Sequence, residues 1–479
     1  MQQALNHIAG AQHMAASGGF LDVFDPATGA VIAQAARSDA SDVDAAAEVA
    51  RLAQPAWAAL GHSERAAWLN RLADAMQAQA ETFVELEALD TGKPLALIRD
   101  IEFPRAINNL RFFAAAISQV ASESHHGEVG LNYTLRQPLG VVACISPWNL
   151  PLYLFSWKVA PALAYGNAVV AKPSEITPLS ATRMVELASE VGFPSGVFNL
   201  VHGRGDEAGR ALVGHPAIRA VSFTGSTRVG REIGATCGGQ LKKVSLELGG
   251  KNASIVFADA AREGLAATLL RAGWQNSGQI CLCGSRLLIQ RSAYAELRDA
   301  LIAEAAQWTV GDPRQADTRM GPLASPMQFD KVQAAVQTAR EAGARFLCGG
   351  SPVRPEGRCR DGWFFAPTLI EDLPEDCPLH RQEVFGPVIV LQPFEDAADA
   401  LRLANATPYG LSASVFTRDL STAHGMAAAL RAGVVWINGW MARDLRTPFG
   451  GMGDSGLGRE GGVESLRFFT EPKNVCLLP

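Results

Sequence analysis

A cysteine stands in the run NSGQICLCGSR, residues 276–286, in a glycine-flanked polar turn ahead of an apolar strand. A thiol so placed can face a cleft. Cys281 as a nucleophile needs its thiolate, and hydrolysis of a thioester formed on it needs a base for water. A carboxylate suited to that task lies upstream, Glu247 in VSLELGGKN. Most cysteines of an ordinary enzyme are packed core residues, so the polar neighbours Asn276, Gly278 and Gln279 are what single this one out. Cys283 follows two residues later, and in an extended segment the two side chains would share a face. A CxC pair can hold a metal, but no further Cys or His with ligand spacing lies nearby, so no metal is expected.

Positioning such residues takes a large scaffold. The chain has 479 residues, 48% of them hydrophobic and 19% charged, enough for about two or three domains of a soluble globular enzyme. A formal charge of −6 without a basic block argues against nucleic acid as a partner. Eight scattered cysteines make no disulfide framework and suit a reducing, cytoplasmic setting. The N-terminal run does not read as a signal peptide, and no apolar run reaches the ~18 residues of a membrane span.

The pattern predicts a hairpin over 20–36 and helices over 41–120, with Ser41 and Asp42 as caps of the first and Ser63–Glu64 starting the second. From 139 short apolar strands (LGVVACIS, NAVVAK, GVFNLV, IRAVSF) alternate with helical stretches near 152–165, 179–191 and 206–213. Such a series implies a parallel sheet covered on both faces, the doubly wound α/β architecture that holds dinucleotides. A second series follows Gly250: NASIVF, a helix near 260–277, SRLLIQ, LSASVF and GVVWING. The expected division is 1–120 with 138–248 as one domain and 249–450 as a second α/β domain, hinged at Gly249–Gly250. Segments 121–137 and 460–479 fit neither.

There is no GxGxxG; Gly203-Arg204-Gly205 with Gly209 has the wrong spacing. A better phosphate site is Thr224-Gly225-Ser226, where a strand must turn directly into the helix STRVGREIGA. Backbone N–H groups at a helix N-terminus and a serine hydroxyl suit a pyrophosphate, although Ser226 could equally be a plain helix cap. Lys172 and Glu175 stand just past the strand NAVVAK, at the carboxyl end where nucleotides bind such sheets.

The runs PWNLP (147–151), KPSE (172–175), FTGS (223–226) and EVFGP (383–387), in this order around the glutamate and cysteine runs, resemble the aldehyde dehydrogenase superfamily over essentially the whole chain. The resemblance implies NAD as cofactor and a small-molecule aldehyde as substrate. It places Cys281 as nucleophile, Glu247 as the base for water, and the Asn149 side chain with the Cys281 N–H at the oxyanion. Retention of Glu247 favours hydrolysis to the free acid over transfer to CoA. Lys172 and Glu175 fall where the family holds the adenosine ribose, and Trp148, Gly225 and Ser226 at the cofactor. Glu383 and Phe385 fall at the nicotinamide ribose and ring. A Glu175 carboxylate would repel a 2′-phosphate by about 4 kcal/mol at ~4 Å and an effective dielectric near 20, favouring NAD over NADP. The family likeness also makes 121–137 and 460–479 a small sheet joining subunits into a homodimer or homotetramer.

Three further runs, CLC, DIEFPRAINNLRFFA (100–114) and WMARDLRTPFGG (440–451), resemble the branch acting on aminomuconic and hydroxymuconic semialdehydes. In that branch an arginine from each of the last two meets the substrate carboxylate, and the matching positions are Arg105 and Arg443, with Arg446 close enough to be confused with the second. A guanidinium suits a carboxylate because its fork of donors matches both oxygens. Glu102-Phe103 and a shortened 121–137 depart from the branch at the pocket mouth. The expected activity is NAD-dependent oxidation of an acidic semialdehyde. A broad-specificity aldehyde dehydrogenase is the alternative, and a catalytically silent binding protein a remote one.

Overall fold

In the computed structural model, which describes residues 2–260 and 263–478, two large sheets carry the molecule. The first runs in the order Gly456–Leu457, Lys243–Glu247, Ile218–Thr224, Val141–Ile145, Ala168–Lys172, Phe198–Leu200, Asn6–Ile8, Ala11–His13. Its five central strands are parallel, and antiparallel strands close both edges. The strands Val141–Ile145 and Ala168–Lys172 are buried at every position, as a sheet covered on both faces requires. Chain order reverses between Val141–Ile145 and Ile218–Thr224, so a crevice opens at their carboxyl ends.

The second sheet holds seven strands in the order Arg345–Cys348, Thr368–Glu371, Val388–Phe394, Arg286–Gln290, Ala253–Val256, Ser412–Phe416, Val434–Ile437. All its pairs are parallel but the first. A smaller antiparallel sheet joins Ser124–Gly127, Gly130–Pro138 and Thr470–Leu477. The hairpin Phe20–Asp25/Ala30–Ala36 forms a further sheet with Gln2–Ala4.

Local chemistry moves several expected boundaries. The first helix, Ala40–Ala59, is capped by Asp39, which accepts from the Ser41 N–H, while Asp42 reaches back to the Asp39 N–H. Asp42 also accepts from Ala16, which ties the N-terminal loop to this helix. The second helix, His62–Ala78, begins after Gly61 rather than at Ser63, with Glu64 accepting the Gly61 N–H. The helix expected near 260–277 spans Leu265–Trp274, and the chain then breaks into a tight turn. The expected segment 460–479 divides. Its helix Gly462–Phe469 buries Leu466 and Phe469 in the core of the first domain, and only Thr470–Leu477 joins the small sheet. Gly456–Leu457 likewise returns to the edge of the first sheet.

Candidate active site

Register does most of the positioning. Thr224 pairs with Glu247, Phe223 with Ile145, and Ile145 with Lys172, so four strand ends lie side by side. The chain leaving Ile145 carries Trp148 and Asn149, then enters the helix Pro151–Ala164, whose Pro151 supplies a preset φ at its first turn. Every residue of that helix is buried, Tyr153 and Lys158 included.

Cys281 comes to this crevice just ahead of Arg286–Gln290, a strand of the second sheet, and the backbone before it is strained. Asn276, Ser277 and Gly278 all hold positive φ, at 54°, 54° and 71°. At Gly278 a Cβ would lie 2.0 Å from the Gly386 carbonyl oxygen, so only glycine fits. Side chains hold the turn. The Ser277 hydroxyl donates to the Gly321 carbonyl, Asn276 Nδ2 to the Asn149 carbonyl at 3.0 Å, and Asn149 Nδ2 to the Gln279 carbonyl at 2.8 Å. The second N–H of Asn149 Nδ2 and the Cys281 backbone N–H make no hydrogen bond among the described residues. Residues 281–283 form a turn, as the glycine-flanked polar run implies, with the Cys283 N–H donating to the Ile280 carbonyl; Cys283 is buried. Gly249 and Gly250 stand where a Cβ would come within 2.5 Å of Glu383 and 2.7 Å of the Cys281 carbonyl, so close approach explains both glycines.

Cys281, Glu247, Thr224, Tyr153 and Arg443 line one cavity of about 590 Å³, walled by Leu150, Leu154, Ile280 and Phe449. Burial pushes Glu247 up to about 8; Glu460 adds to this, and Lys158 and Arg443 work against it. One of its oxygens, Oε1, has no hydrogen-bond partner. Beneath it lies a buried pair, Lys158 Nζ to Glu460 Oε1 at 3.0 Å, joined by the hydroxyls of Ser222 and Ser245. Burial first, then Glu247 and Glu383, push the Cys281 thiol above its ordinary range, while Arg443 draws it down.

The two arginines expected to meet the substrate differ. Arg443 Nη1 donates to the Tyr153 hydroxyl at 2.6 Å, and its guanidinium lies 4.1 Å from the Trp157 ring centre and 4.4 Å from that of Phe449. No carboxylate pairs with it among the described residues, and its buried Nη2 has no acceptor. Arg446 is exposed and paired with Asp444, which removes the ambiguity between them. Arg105 donates to the Met441 carbonyl at 3.4 Å and lies 5.8 Å from the centre of the Tyr153 ring.

The residues expected at the dinucleotide lie around the neighbouring strand ends. Buried Lys172 donates to the Pro173 carbonyl and stands 3.5 Å from Glu175, and burial lowers its pKa. Gly225 donates its N–H to the Glu247 carbonyl at 3.0 Å, so contrary to expectation that group is not free for a phosphate. Ser226 caps the helix Thr227–Gly239 by accepting from Val229, which leaves its hydroxyl proton available. Glu383 accepts from Gly250; burial raises its pKa, and Lys331 and Lys251 oppose this. Phe385, at φ 59°, meets Trp148 edge to face at 5.3 Å, and Gln328 holds its carbonyl. Sequence reading missed Tyr153, the Lys158–Glu460 pair and the aromatic box around Arg443. A polar signal was present only in the Tyr and Lys within an otherwise apolar helix.

The aldehyde dehydrogenase family profile matches residues 13–475, and the chain belongs to that family. It is 44% identical to a 2-aminomuconic semialdehyde dehydrogenase of Danio rerio over 95% of each chain. It is 42% identical to a 2-hydroxymuconic semialdehyde dehydrogenase of Pseudomonas sp. (strain CF600) over 100% of both. The crystal structure of PnpE in complex with nicotinamide adenine dinucleotide superposes with a TM-score of 0.97 at 41% identity, covering 100% of this chain and 98% of that one.

Because burial and two carboxylates disfavour the thiolate, Cys281 of the free protein should react with iodoacetamide more slowly than free cysteine at about pH 8, and its rate should still climb above about pH 9. Peptide mass mapping at stepped pH reads this directly. Alkylation faster than free cysteine near neutrality would show that the thiolate is stabilised instead.

Proposed function

We propose that this protein oxidises an acidic semialdehyde of the 2-hydroxymuconic or 2-aminomuconic type to its carboxylic acid, with NAD as the oxidant. The observation that carries the acidic part is Arg443, a guanidinium without a counter-ion in the same cavity as Cys281 and Glu247. Its buried Nη2 lacks an acceptor, which costs free energy, and an anionic substrate end supplies the missing partner. Arg105, which reaches the same tyrosine, assists at the mouth.

The Cys281 thiol loses its proton to solvent in the cavity, and the thiolate attacks the aldehyde carbon. The Cys281 N–H and the free N–H of Asn149 Nδ2 hold the oxyanion, each such donor being worth roughly 10²–10³ in rate. NAD, when bound, would supply the hydride acceptor, and loss of the hydride from the adduct would leave a thioester on Cys281. Glu247, with Oε1 unpartnered and its pKa near the working range, takes a proton from the water that releases the acid. The residues present fit the dinucleotide. Buried Thr224 Oγ1 lacks a partner at the crevice, an unsatisfied donor that a bound dinucleotide can reach. Lys172 and Glu175 hold the adenosine ribose, Ser226 the pyrophosphate, and Glu383, Phe385 and Trp148 the nicotinamide end.

The small sheet is the surface for a second copy of the chain, since Leu135 and Leu477 are 43% and 61% exposed on it. This supports a homodimer, or a tetramer built from it. Eight free cysteines support a cytoplasmic setting. Among the described residues no helix is long and apolar enough to cross a membrane.

Glu247→Gln should keep the first turnover and lose the later ones. NADH should appear as a burst and the acyl-enzyme accumulate in intact mass spectra. Wild-type turnover limited by this step should rise about tenfold per pH unit below about 8 and level above it, because the base is the deprotonated form. Equal slowing of burst and steady state would remove the deacylating role.

Glu175→Gln should raise kcat/KM with NADP relative to NAD, since one like charge leaves the ribose site. A wild type already preferring NADP would overturn the reading of Lys172 and Glu175.

Arg443→Gln should lower kcat/KM about 10- to 150-fold with 2-hydroxymuconic semialdehyde, the loss of one charge-assisted contact of roughly 1.5–3 kcal/mol. Benzaldehyde turnover should change little. Equal losses on both would show that the arginine only supports the wall.

A further inference from the structure

Tyr153 is the one polar side chain that meets both substrate arginines. Its ring centre lies 5.5 Å from the Arg443 guanidinium and 5.8 Å from that of Arg105. Its backbone carbonyl accepts from Asn109 Nδ2 at 3.0 Å, on the same helix that carries Arg105, so the residue is fixed from two sides. The side chain is 2% exposed and lines the cavity with Cys281.

The hydroxyl has a definite polarity. Arg443 Nη1 has no capacity to accept, so the 2.6 Å contact uses a lone pair of the phenol oxygen. The phenol proton must point elsewhere, and nothing among the described residues accepts it. A buried donor without a partner costs free energy. The group that satisfies it therefore comes from the cavity, beside a carboxylate bound to Arg443. On a muconic semialdehyde the atom in that place is the substituent on the carbon next to the carboxylate.

We propose that the Tyr153 hydroxyl donates a hydrogen bond to an oxygen at that carbon and makes the enzyme select 2-hydroxy or 2-oxo semialdehydes over 2-amino ones. This rests on the acidic-substrate reading above. An oxygen there, as enol or ketone, offers a lone pair. An amine conjugated with the diene has its lone pair delocalised and brings donors of its own, so it faces the phenol proton donor to donor. A site built around a buried donor rejects a partner that cannot accept more strongly than an apolar pocket rejects a missing methylene.

The test uses the full-length enzyme with NAD and four aldehydes: 2-hydroxymuconic semialdehyde, 2-aminomuconic semialdehyde generated in situ, the same dienoic semialdehyde with no 2-substituent, and benzaldehyde. Wild type should favour the 2-hydroxy over the 2-amino compound in kcat/KM by about tenfold or more, a result that needs no variant to fold. Tyr153→Phe should lower kcat/KM for the 2-hydroxy compound about 10- to 100-fold. It should leave the unsubstituted acid within about threefold and benzaldehyde unchanged, which also reports an intact fold. Equal losses on the 2-hydroxy and unsubstituted acids would overturn the proposal and reduce Tyr153 to a support for Arg443. A wild type that prefers the 2-amino compound overturns it as well. If Arg443→Gln loses the acids but not benzaldehyde while the two acids respond alike to Tyr153→Phe, the acidic-substrate reading stands and only the tyrosine's selectivity fails.

Discussion

The ion pair between Lys158 and Glu460 holds the site in one piece. It joins the helix Pro151–Ala164 to a residue that enters only after the second domain is complete, and the hydroxyls of Ser222 and Ser245 bring in two central strands. The side chains are 0% and 3% exposed, so removing either partner would leave a desolvated charge at a cost of about 3–5 kcal/mol. That penalty makes the arrangement all or nothing. Glu247 sits on the strand beside Ser245 and takes its raised pKa partly from Glu460. A pair that fixes the geometry thus also tunes the carboxylate meant to handle water.

A second constraint comes from the opposite domain, where Cys281 is delivered by backbone that few sequences tolerate. Left-handed Asn276 and Ser277 cost on the order of 1–3 kcal/mol each and persist only where the surroundings dictate them. Here the Gly386 carbonyl crowds Gly278, Asn276 Nδ2 donates to the Asn149 carbonyl, and Asn149 Nδ2 donates to the Gln279 carbonyl. The same bonds that hold the nucleophile hold the amide meant for the oxyanion. Displacing one displaces the other, so the strain is spent on mutual registration.

The alternation of apolar strands and amphipathic helices made both parallel sheets legible in the sequence, because a strand buried on both faces has no choice but to be apolar throughout. Cys281, Glu247 and Asn149 were legible through their polar neighbours and the family motifs. What escaped was tertiary. Asp39 rather than Ser41 caps the first helix, and one oxygen of Asp42 is taken by the distant Ala16 N–H, a contact that no local pattern announces. The Gly225 N–H looks available from sequence alone, but the parallel register gives it to Glu247. Tyr153 reads as one more core aromatic until the fold brings Arg443 to its hydroxyl.

The charges of the cavity set a conflict that the proposed chemistry has to resolve. Arg443 is the cation that stabilises both a Cys281 thiolate and a Glu247 carboxylate, and it is also the group offered to the substrate. Once neutralised by a bound carboxylate, it withdraws that support. Two like charges ~8 Å apart in an effective dielectric near 20 still repel by ~2 kcal/mol. A short acidic aldehyde would bring its anion closer to the thiolate and suffer more. A long conjugated one keeps the two ends apart, and a 590 Å³ cavity has room for it. The aromatic box of Trp157 and Phe449 matters for the same reason. It holds the guanidinium by its faces without neutralising it, so the cation stays in place in the cavity wall until an anion arrives.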